Sequence, residues 1–109
     1  LAKLINNSEN LVFEVIQSYA GHISHEGNMG KCKSTIVQLE KKLMNLKYFL
    51  ENKGIKVKEI SGGSTGTSLI KSNSNIYTEL QAGSYIMMDA TYKKTFPEFK
   101  MPPLFSQLL

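Results

Sequence analysis

The sequence predicts an α/β fold, and three features support this prediction. Short apolar runs bounded by turn residues indicate strands, one long segment has the spacing of an amphipathic helix, and a glycine-rich stretch directly follows the second predicted strand. The 109 residues suffice for one domain, but a complete (β/α)₈ barrel needs about 250. The 41% hydrophobic and 20% charged residues are typical of a globular protein. We therefore expect a single α/β domain over residues 1–109.

The first predicted strand covers residues 11–18. Leu11 to Ile16 form an apolar run with β-branched and aromatic members, which is typical of a strand buried on both faces. The opening residues 1–10 look like the end of a helix. Residues 19–30 contain three glycines and two histidines, so we expect a loop at the end of this strand.

The dominant helix is predicted over residues 34–53. Its apolar positions recur at spacings of three and four residues: Ile36, Leu39, Leu43, Leu46 and Leu50. Gly54 suits the position just beyond a helix C-terminus. Cys32, near the start of this segment, is interpreted as a small apolar residue, because no base for a cysteine nucleophile is evident.

Two further strands complete the predicted sheet. Residues 55–60 alternate apolar and charged side chains, so the first strand, the helix and this strand make a right-handed βαβ unit with parallel strands. Residues 69–75 are predicted as a polar connection. The third strand is predicted over residues 83–89, with Tyr77 as its earliest start, and Met87 and Met88 are assigned to the core. Residues 95–109 hold all three prolines and are predicted to leave the sheet as an extended arm.

The stretch from Ser61 to Ser68 consists entirely of glycine, serine and threonine. Glycines at the carboxyl end of a parallel strand let backbone N–H groups converge on an anion, and hydroxyl groups add donors. This composition suits a phosphate, although it matches neither the Walker pattern nor the dinucleotide GxGxxG pattern. A flexible turn without a ligand is the alternative.

Other polar residues leave more than one interpretation open. His22 and His25, with Glu26 beside them, could ligate zinc or manganese, but no third ligand stands at a recognisable spacing. A single active-site or structural histidine is the alternative, and we assign no metal ligand. Tyr19 is either a core aromatic residue or a hydrogen-bond donor that faces a pocket.

Charge and cysteine content exclude several classes of protein. The formal charge is +4, but all 13 basic residues are lysines, so the chain lacks the arginine that most specific base and phosphate contacts use. We expect no nucleic acid partner, and no apolar run approaches the roughly 20 residues that cross a membrane. A single cysteine and no secretory signal pattern indicate a cytoplasmic protein.

Four motifs resemble a known family when taken together. They are YAGH at residues 19–22, GGSTGT at 62–67, TELQAGSY at 78–85 and MDATY at 88–92. Their order and spacing are similar to those of the D-threonine aldolase and D-serine dehydratase family, over essentially the whole chain. Gly66 and Gln81 favour the aldolase branch, because the dehydratase branch is expected to carry proline and arginine there.

The resemblance implies a pyridoxal phosphate enzyme of the alanine-racemase fold. Such an enzyme has a (β/α)₈ barrel followed by a β-domain and acts on D-3-hydroxy amino acids with a divalent metal. The chain would then be a partial (β/α) barrel from the later part of that barrel, with about three mainly parallel strands and one long amphipathic helix. Residues 95–109 would lead towards the β-domain.

The resemblance also implies roles for individual residues. Gln81 would face the pyridine nitrogen, Tyr19 and His22 would line the cofactor pocket, and the cofactor phosphate would be held by Gly63, Ser64, Thr65, Gly66, Thr67, Gly83 and Ser84. The family's Schiff-base lysine and metal ligands match no position here, so no catalytic residue is assigned. We expect the isolated chain to bind phosphate or sulfate without catalysis, and to form a homo-oligomer or associate with the missing barrel segments. The alternative is a non-catalytic, self-associating or partner-binding module.

Overall fold

Three parallel strands form one sheet in the computed structural model, which describes residues 1–71, 74–86 and 90–97. The strands are β1 (Val15–Tyr19), β2 (Glu59–Gly63) and β3 (Glu79–Leu80), in the spatial order β1-β2-β3. The α-helices are α1 (Ala2–Asn6), α2 (Met29–Glu51), α3 (Ser68–Lys71) and α4 (Ala90–Thr95). Short 3₁₀ turns occupy Gly21–Ile23, Thr65–Thr67 and Ser84–Ile86. The predicted α/β class, with parallel strands and one dominant helix, is confirmed.

Both ends of α2 have a local cause. The helix begins at Met29, five residues before the predicted start, because the Asn28 side chain accepts a hydrogen bond from the Lys31 N–H at 3.0 Å. At the other end, Gly54 adopts a φ of 75°. The N–H groups of Gly54 and Ile55 donate to the carbonyl groups of Glu51 and Leu50 at 2.9 and 3.0 Å. These two bonds form a Schellman motif, so the prediction that Gly54 stops the helix is confirmed.

The buried face of α2 packs against one face of the sheet in two clusters. The first cluster contains Leu43, Leu50, Ile55, Val57, Ile60 and Ile76, and the second contains Ala20, Ile23, Cys32 and Ile36. Cys32 is a free, buried thiol, as its apolar surroundings predict, and burial raises its pKa. Leu46 departs from the predicted apolar stripe, because it is 42% exposed.

Strand β1 is shorter and less covered than predicted. It begins at Val15, and Leu11 and Val12 before it are exposed. The prediction of burial on both faces is wrong, because side chains alternate between the faces and α2 covers only one of them. Ile16 packs against the core, whereas Val15 and Tyr19 on the opposite face are exposed.

Strand β2 begins later than predicted and takes in glycines assigned to the loop. Ile55 and Val57 are buried, as their alternation predicts, but the paired residues are Glu59–Gly63. Gly62 allows the strand to continue, because a Cβ there would lie 2.3 Å from the Ser18 carbonyl oxygen and 2.8 Å from the Tyr77 ring. Only a residue without a side chain permits this approach.

The third strand differs most from its prediction. Ser84–Ile86 form a 3₁₀ turn, not a strand, and residues 87–89 lie outside the described residues. Strand β3 is instead Glu79–Leu80. It is anchored by the N–H groups of Thr78 and Gln81, which donate to the carbonyl groups of Ile60 and Gly62 at 3.0 and 2.8 Å.

The connections around β3 also contain more helix than predicted. Residues 68–71, at the start of the predicted polar connection, form α3. Helix α4 ends at Thr95, and Tyr92 within it and Phe96 just after it are buried. The rest of the predicted arm, residues 98–109, lies outside the described residues. None of the helices in the described ranges is long and apolar enough to span a membrane.

Candidate functional site

The carboxyl ends of the strands bring the predicted site residues to one edge of the sheet. Tyr19, the last residue of β1, is paired in register with Gly63, the last residue of β2. Residues 81–84 follow β3 directly, and Gly62 is paired with Leu80. Because all three strands are parallel, the three segments that follow them lie at the same edge.

The loop after β2 has a fixed internal structure. The Ser64 N–H donates to the Thr67 hydroxyl oxygen at 3.0 Å, and the Thr67 N–H donates to the Ser64 carbonyl oxygen at 3.1 Å. The two hydroxyl groups lie 3.1 Å apart. Both residues are buried, so these hydroxyl groups stabilise the turn Thr65–Thr67 as a capping box.

Two backbone N–H groups in this buried loop have no hydrogen-bond partner in the part of the chain that the structure describes. Among the described residues, the N–H groups of Thr65 and Gly66 donate no hydrogen bond. Gly66 also packs closely against the segment after β1. A Cβ on Gly66 would lie 1.9 Å from the Ser24 carbonyl oxygen and 2.9 Å from the Phe96 ring. The loop therefore holds two unpaired N–H groups in a closely packed setting.

Gly83 and Ser84 differ from Gly66 in their surroundings. Both are exposed, and a Cβ on Gly83 would meet nothing within 4 Å. The Ile86 N–H donates to the Gly83 carbonyl oxygen at 3.4 Å, which closes the turn Ser84–Ile86. The space beside Gly83 at this end of β3 is therefore open.

A row of polar side chains lies on the face of the sheet opposite α2. Gln17, Ser61 and Glu79 are paired in register on the three strands. The Ser61 hydroxyl, 2% exposed, donates to the Glu79 carboxylate and accepts a hydrogen bond from the Gln81 side-chain nitrogen at 2.9 Å. Gln81 is a predicted site residue, whereas the hydrogen bonds that link it through Ser61 to Glu79 are not predicted. No local pattern in the sequence indicates this link, because it depends on the register between β2 and β3.

The residues after β1 are distributed around the turn Gly21–Ile23. Tyr19 is 56% exposed, and its ring covers Gly21, where a Cβ would lie 2.7 Å from the ring edge. His22 is exposed. The exposed side chains of Tyr19 and His22 therefore lie at the same edge of the sheet as the loop after β2.

The neighbouring His25 and Glu26 have other partners. The His25 and Tyr92 rings lie 4.6 Å apart, and Glu26 pairs with Lys31 at 2.8 Å. The hydrogen bond from Lys31, helped by the Asn28 N–H, lowers the pKa of Glu26. No group of three or more metal-binding side chains occurs in the ranges that the structure describes.

Lys71 lies on the other face of the sheet. It is 1% exposed and donates a hydrogen bond to the Tyr77 hydroxyl. Tyr77 packs against Gly62. Gly62 and the core residue Ile60 lie on the face of β2 that α2 covers. Burial lowers the pKa of Lys71 to about 8, although Glu40 partly opposes this shift. The sheet therefore separates Lys71 from the row formed by Ser61, Glu79 and Gln81.

Comparison with known proteins shows that this chain is similar to segments of aldolases. No family model matches the chain. A 3-hydroxy-D-aspartate aldolase of Paracoccus denitrificans (strain Pd 1222) is 38% identical over 96 residues, covering 84% of this chain and 24% of that protein. A D-threonine aldolase of an Arthrobacter species is 32% identical over 92 residues, with the same coverage.

A solved structure gives the same result. The crystal structure of D-threonine aldolase from Filomicrobium marinum superimposes with a TM-score of 0.86 and 25% sequence identity, over 94% of this chain and 28% of that chain. The chain is thus homologous to a segment of the D-threonine aldolases and 3-hydroxy-D-aspartate aldolases, and the resemblance seen in its motifs is confirmed. It spans about a quarter of the length of the curated relatives it matches.

Proposed function

We propose that this chain forms the cofactor-phosphate part of a pyridoxal phosphate enzyme that cleaves D-3-hydroxy amino acids with the help of a divalent metal. The names of the relatives point to D-threonine or 3-hydroxy-D-aspartate as the substrate. The observation that carries the proposal is the convergence of the loop after β2 and the Gly83–Ser84 segment at one edge of the sheet.

The residues at this edge fit a phosphate ester on a pyridine ring. Thr65 and Gly66 offer backbone donors, and Gly83 and Ser84 border open space. Gln81 follows β3 at this edge, and we assign it to the pyridine ring on the family resemblance. Tyr19 and His22 border the same edge. When bound, pyridoxal phosphate supplies the electron sink for cleavage of the Cα–Cβ bond, and this chain binds and orients it.

Catalysis by this chain alone is not part of the proposal. Of the lysines in the described ranges, Lys71 is the buried one, and it lies on the helix-covered face of the sheet with Tyr77. Ser61 and Gln81 lie on the opposite face. The Lys71 side chain reaches the end of β2, where its Cδ would lie 3.1 Å from a Cβ on Gly63, but its ammonium group is bonded to the Tyr77 hydroxyl. Because no lysine here matches the family's Schiff-base position, we assign the covalent attachment to another segment of the enzyme.

Two measurements on the 109-residue chain test the proposal. Inorganic phosphate should bind, and Gly83→Asp should weaken its affinity at least about tenfold, because a carboxylate in the open space repels the anion. Gly27→Asp is the matched control, because a Cβ there has only ordinary contacts. With pyridoxal phosphate and manganese supplied, D-threonine should release no acetaldehyde or glycine. Turnover, or phosphate binding that ignores Gly83→Asp, would contradict the proposal.

A second candidate function is a self-associating or partner-binding module. It is favoured by one edge of β1, which pairs with no other strand of the described residues and beside which Leu11, Val12 and Val15 are exposed. A second copy of this chain, or the barrel segments that relatives carry, would pair with that edge. A reducing cytoplasmic setting suits either function, because Cys32 is a free thiol in the core.

A further inference from the structure

Three side chains on the face of the sheet opposite α2 are linked by two hydrogen bonds, and the donor and acceptor of each bond can be assigned. Ser61 donates its hydroxyl hydrogen to the Glu79 carboxylate. A serine hydroxyl has a single hydrogen, and that of Ser61 is used in the bond to Glu79. In the 2.9 Å contact between Ser61 and Gln81, the Gln81 amide nitrogen is therefore the donor. The direction of the chain runs from Gln81 through Ser61 to Glu79.

This direction determines which end of the Gln81 amide is available to a ligand. The nitrogen is held by Ser61, and the carbonyl oxygen of the amide has no partner among the described residues. Reversal of the amide would place an acceptor against the Ser61 oxygen, whose hydrogen is already committed to Glu79. Gln81 therefore offers an acceptor, and not a donor, at the carboxyl edge.

We propose that Ser61 and Glu79 are positioning residues that make Gln81 a hydrogen-bond acceptor, so that the site selects a ligand whose pyridine nitrogen carries a proton. The inference rests on the proposed function, because the phosphate contacts at the same edge bring the ring to Gln81. Ser61 suits this role, because it is 2% exposed and so exchanges little with water. The register of Ser61 with Glu79 keeps donor and acceptor side by side across the two strands.

The test uses 4-deoxypyridoxine 5′-phosphate, which has no aldehyde and so cannot form imines with the lysines of the chain. Ultraviolet absorbance of the bound analogue reports the pKa of its ring nitrogen. We expect the 109-residue chain to raise that pKa by about one unit relative to the free analogue, which is a tenfold preference for the protonated ring. Ser61→Ala should remove most of this shift, while the affinity for inorganic phosphate stays within about twofold.

Matched variants separate positioning from folding. Ser34→Ala, which removes an exposed helix hydroxyl, should leave the ring pKa unchanged. Gln81→Arg replaces the acceptor with a donor and should move the ring pKa below that of the free analogue, which loss of structure would not do. Circular dichroism of each variant checks the fold.

The possible failures are distinguishable. If the analogue binds and its ring pKa is unshifted, or is insensitive to Ser61→Ala, the positioning role is wrong and the phosphate site stands. If neither the analogue nor inorganic phosphate binds, the proposed function is wrong and this inference falls with it.

Discussion

The Lys71 ammonium nitrogen lies 3.8 Å from the centroid of the Tyr77 ring and donates a hydrogen bond to the hydroxyl of the same residue. Both side chains lie between the sheet and α2, where burial lowers the pKa of Lys71 and raises that of Tyr77. A lysine in this position is stabilised by its neighbour but is costly to keep charged.

The first prediction concerns the pH dependence of stability. The pKa of Lys71 is about 8 in the folded chain and 10.5 ordinarily, so unfolding takes up a proton between these values. The free energy of unfolding should therefore rise with pH from about 8 to 9.5, by about 1 to 2 kcal/mol. Urea unfolding at several pH values measures this rise. Tyr77 opposes it only above its ordinary pKa of 10.0.

Lys71→Met should abolish the rise, because it removes the titrating group. Lys56→Met, at an exposed position, should retain it. An equal rise in the wild type and in Lys71→Met would show that another group is responsible.

The second prediction compares two glycines. Gly66→Ala should lower the free energy of unfolding by about 2 to 3 kcal/mol, because the new methyl group would overlap the Ser24 carbonyl oxygen. Gly83→Ala should change it by less than about 0.5 kcal/mol, since its surroundings are open. Urea midpoints of both variants decide the matter. Similar midpoints would mean that the segment after β1 does not approach Gly66 in solution.

The third prediction concerns the start of α2. Asn28→Ala should cost about 1 kcal/mol, because the Lys31 N–H loses its side-chain acceptor. Asn45→Ala, at an exposed position within the same helix, should leave stability unchanged or slightly higher. Thermal unfolding followed by circular dichroism measures both. Equal losses would argue that Asn28 does not cap the helix.

The fourth prediction concerns self-association. One edge of β1 has no partner strand within the part of the chain that the structure describes, and Val15 is exposed. Both features favour pairing with another copy, so light scattering at about 50 micromolar should show a dimer or larger species. Val15→Lys should shift the population towards monomer, because it adds a charge to the uncovered face of β1. Val37→Lys, on the exposed surface of α2, is the control. A monomeric wild type would count against this prediction.

The sequence predicts those elements whose causes are local. The apolar spacing of α2 and the stop at Gly54 depend on neighbours within one turn, and both are found in the structure. The sequence does not reveal the start of α2, because Asn28 lies in a stretch whose glycines and histidines predict a loop. The prediction for β3 failed for a different reason. Glu79–Leu80 is too short to show a periodicity, and its pairing depends on bonds from Thr78 and Gln81 to a distant strand.

The candidate site likewise has features with local causes and features that depend on a distant strand. The glycine-rich loop and the Gly83–Ser84 segment are visible as local compositions, and parallel strands suffice to bring them to one edge. The role of Ser61 could not be predicted, because it requires the register that sets Ser61 beside Glu79 and a bond from Gln81. Local residue patterns do not determine which partners meet across a sheet.

The contact between Gly66 and the Ser24 carbonyl has a consequence for how this chain can change over evolution. A side chain at position 66 becomes acceptable only after the backbone near residue 24 has moved, and that backbone also carries the hydroxyl that bonds Tyr92 at 2.9 Å. Substitutions in the loop after β2 must therefore be accompanied by substitutions in the loop after β1. In a directed-evolution library, tolerated substitutions at position 66 should occur together with changes at residues 21–25 and at Tyr92, and rarely alone.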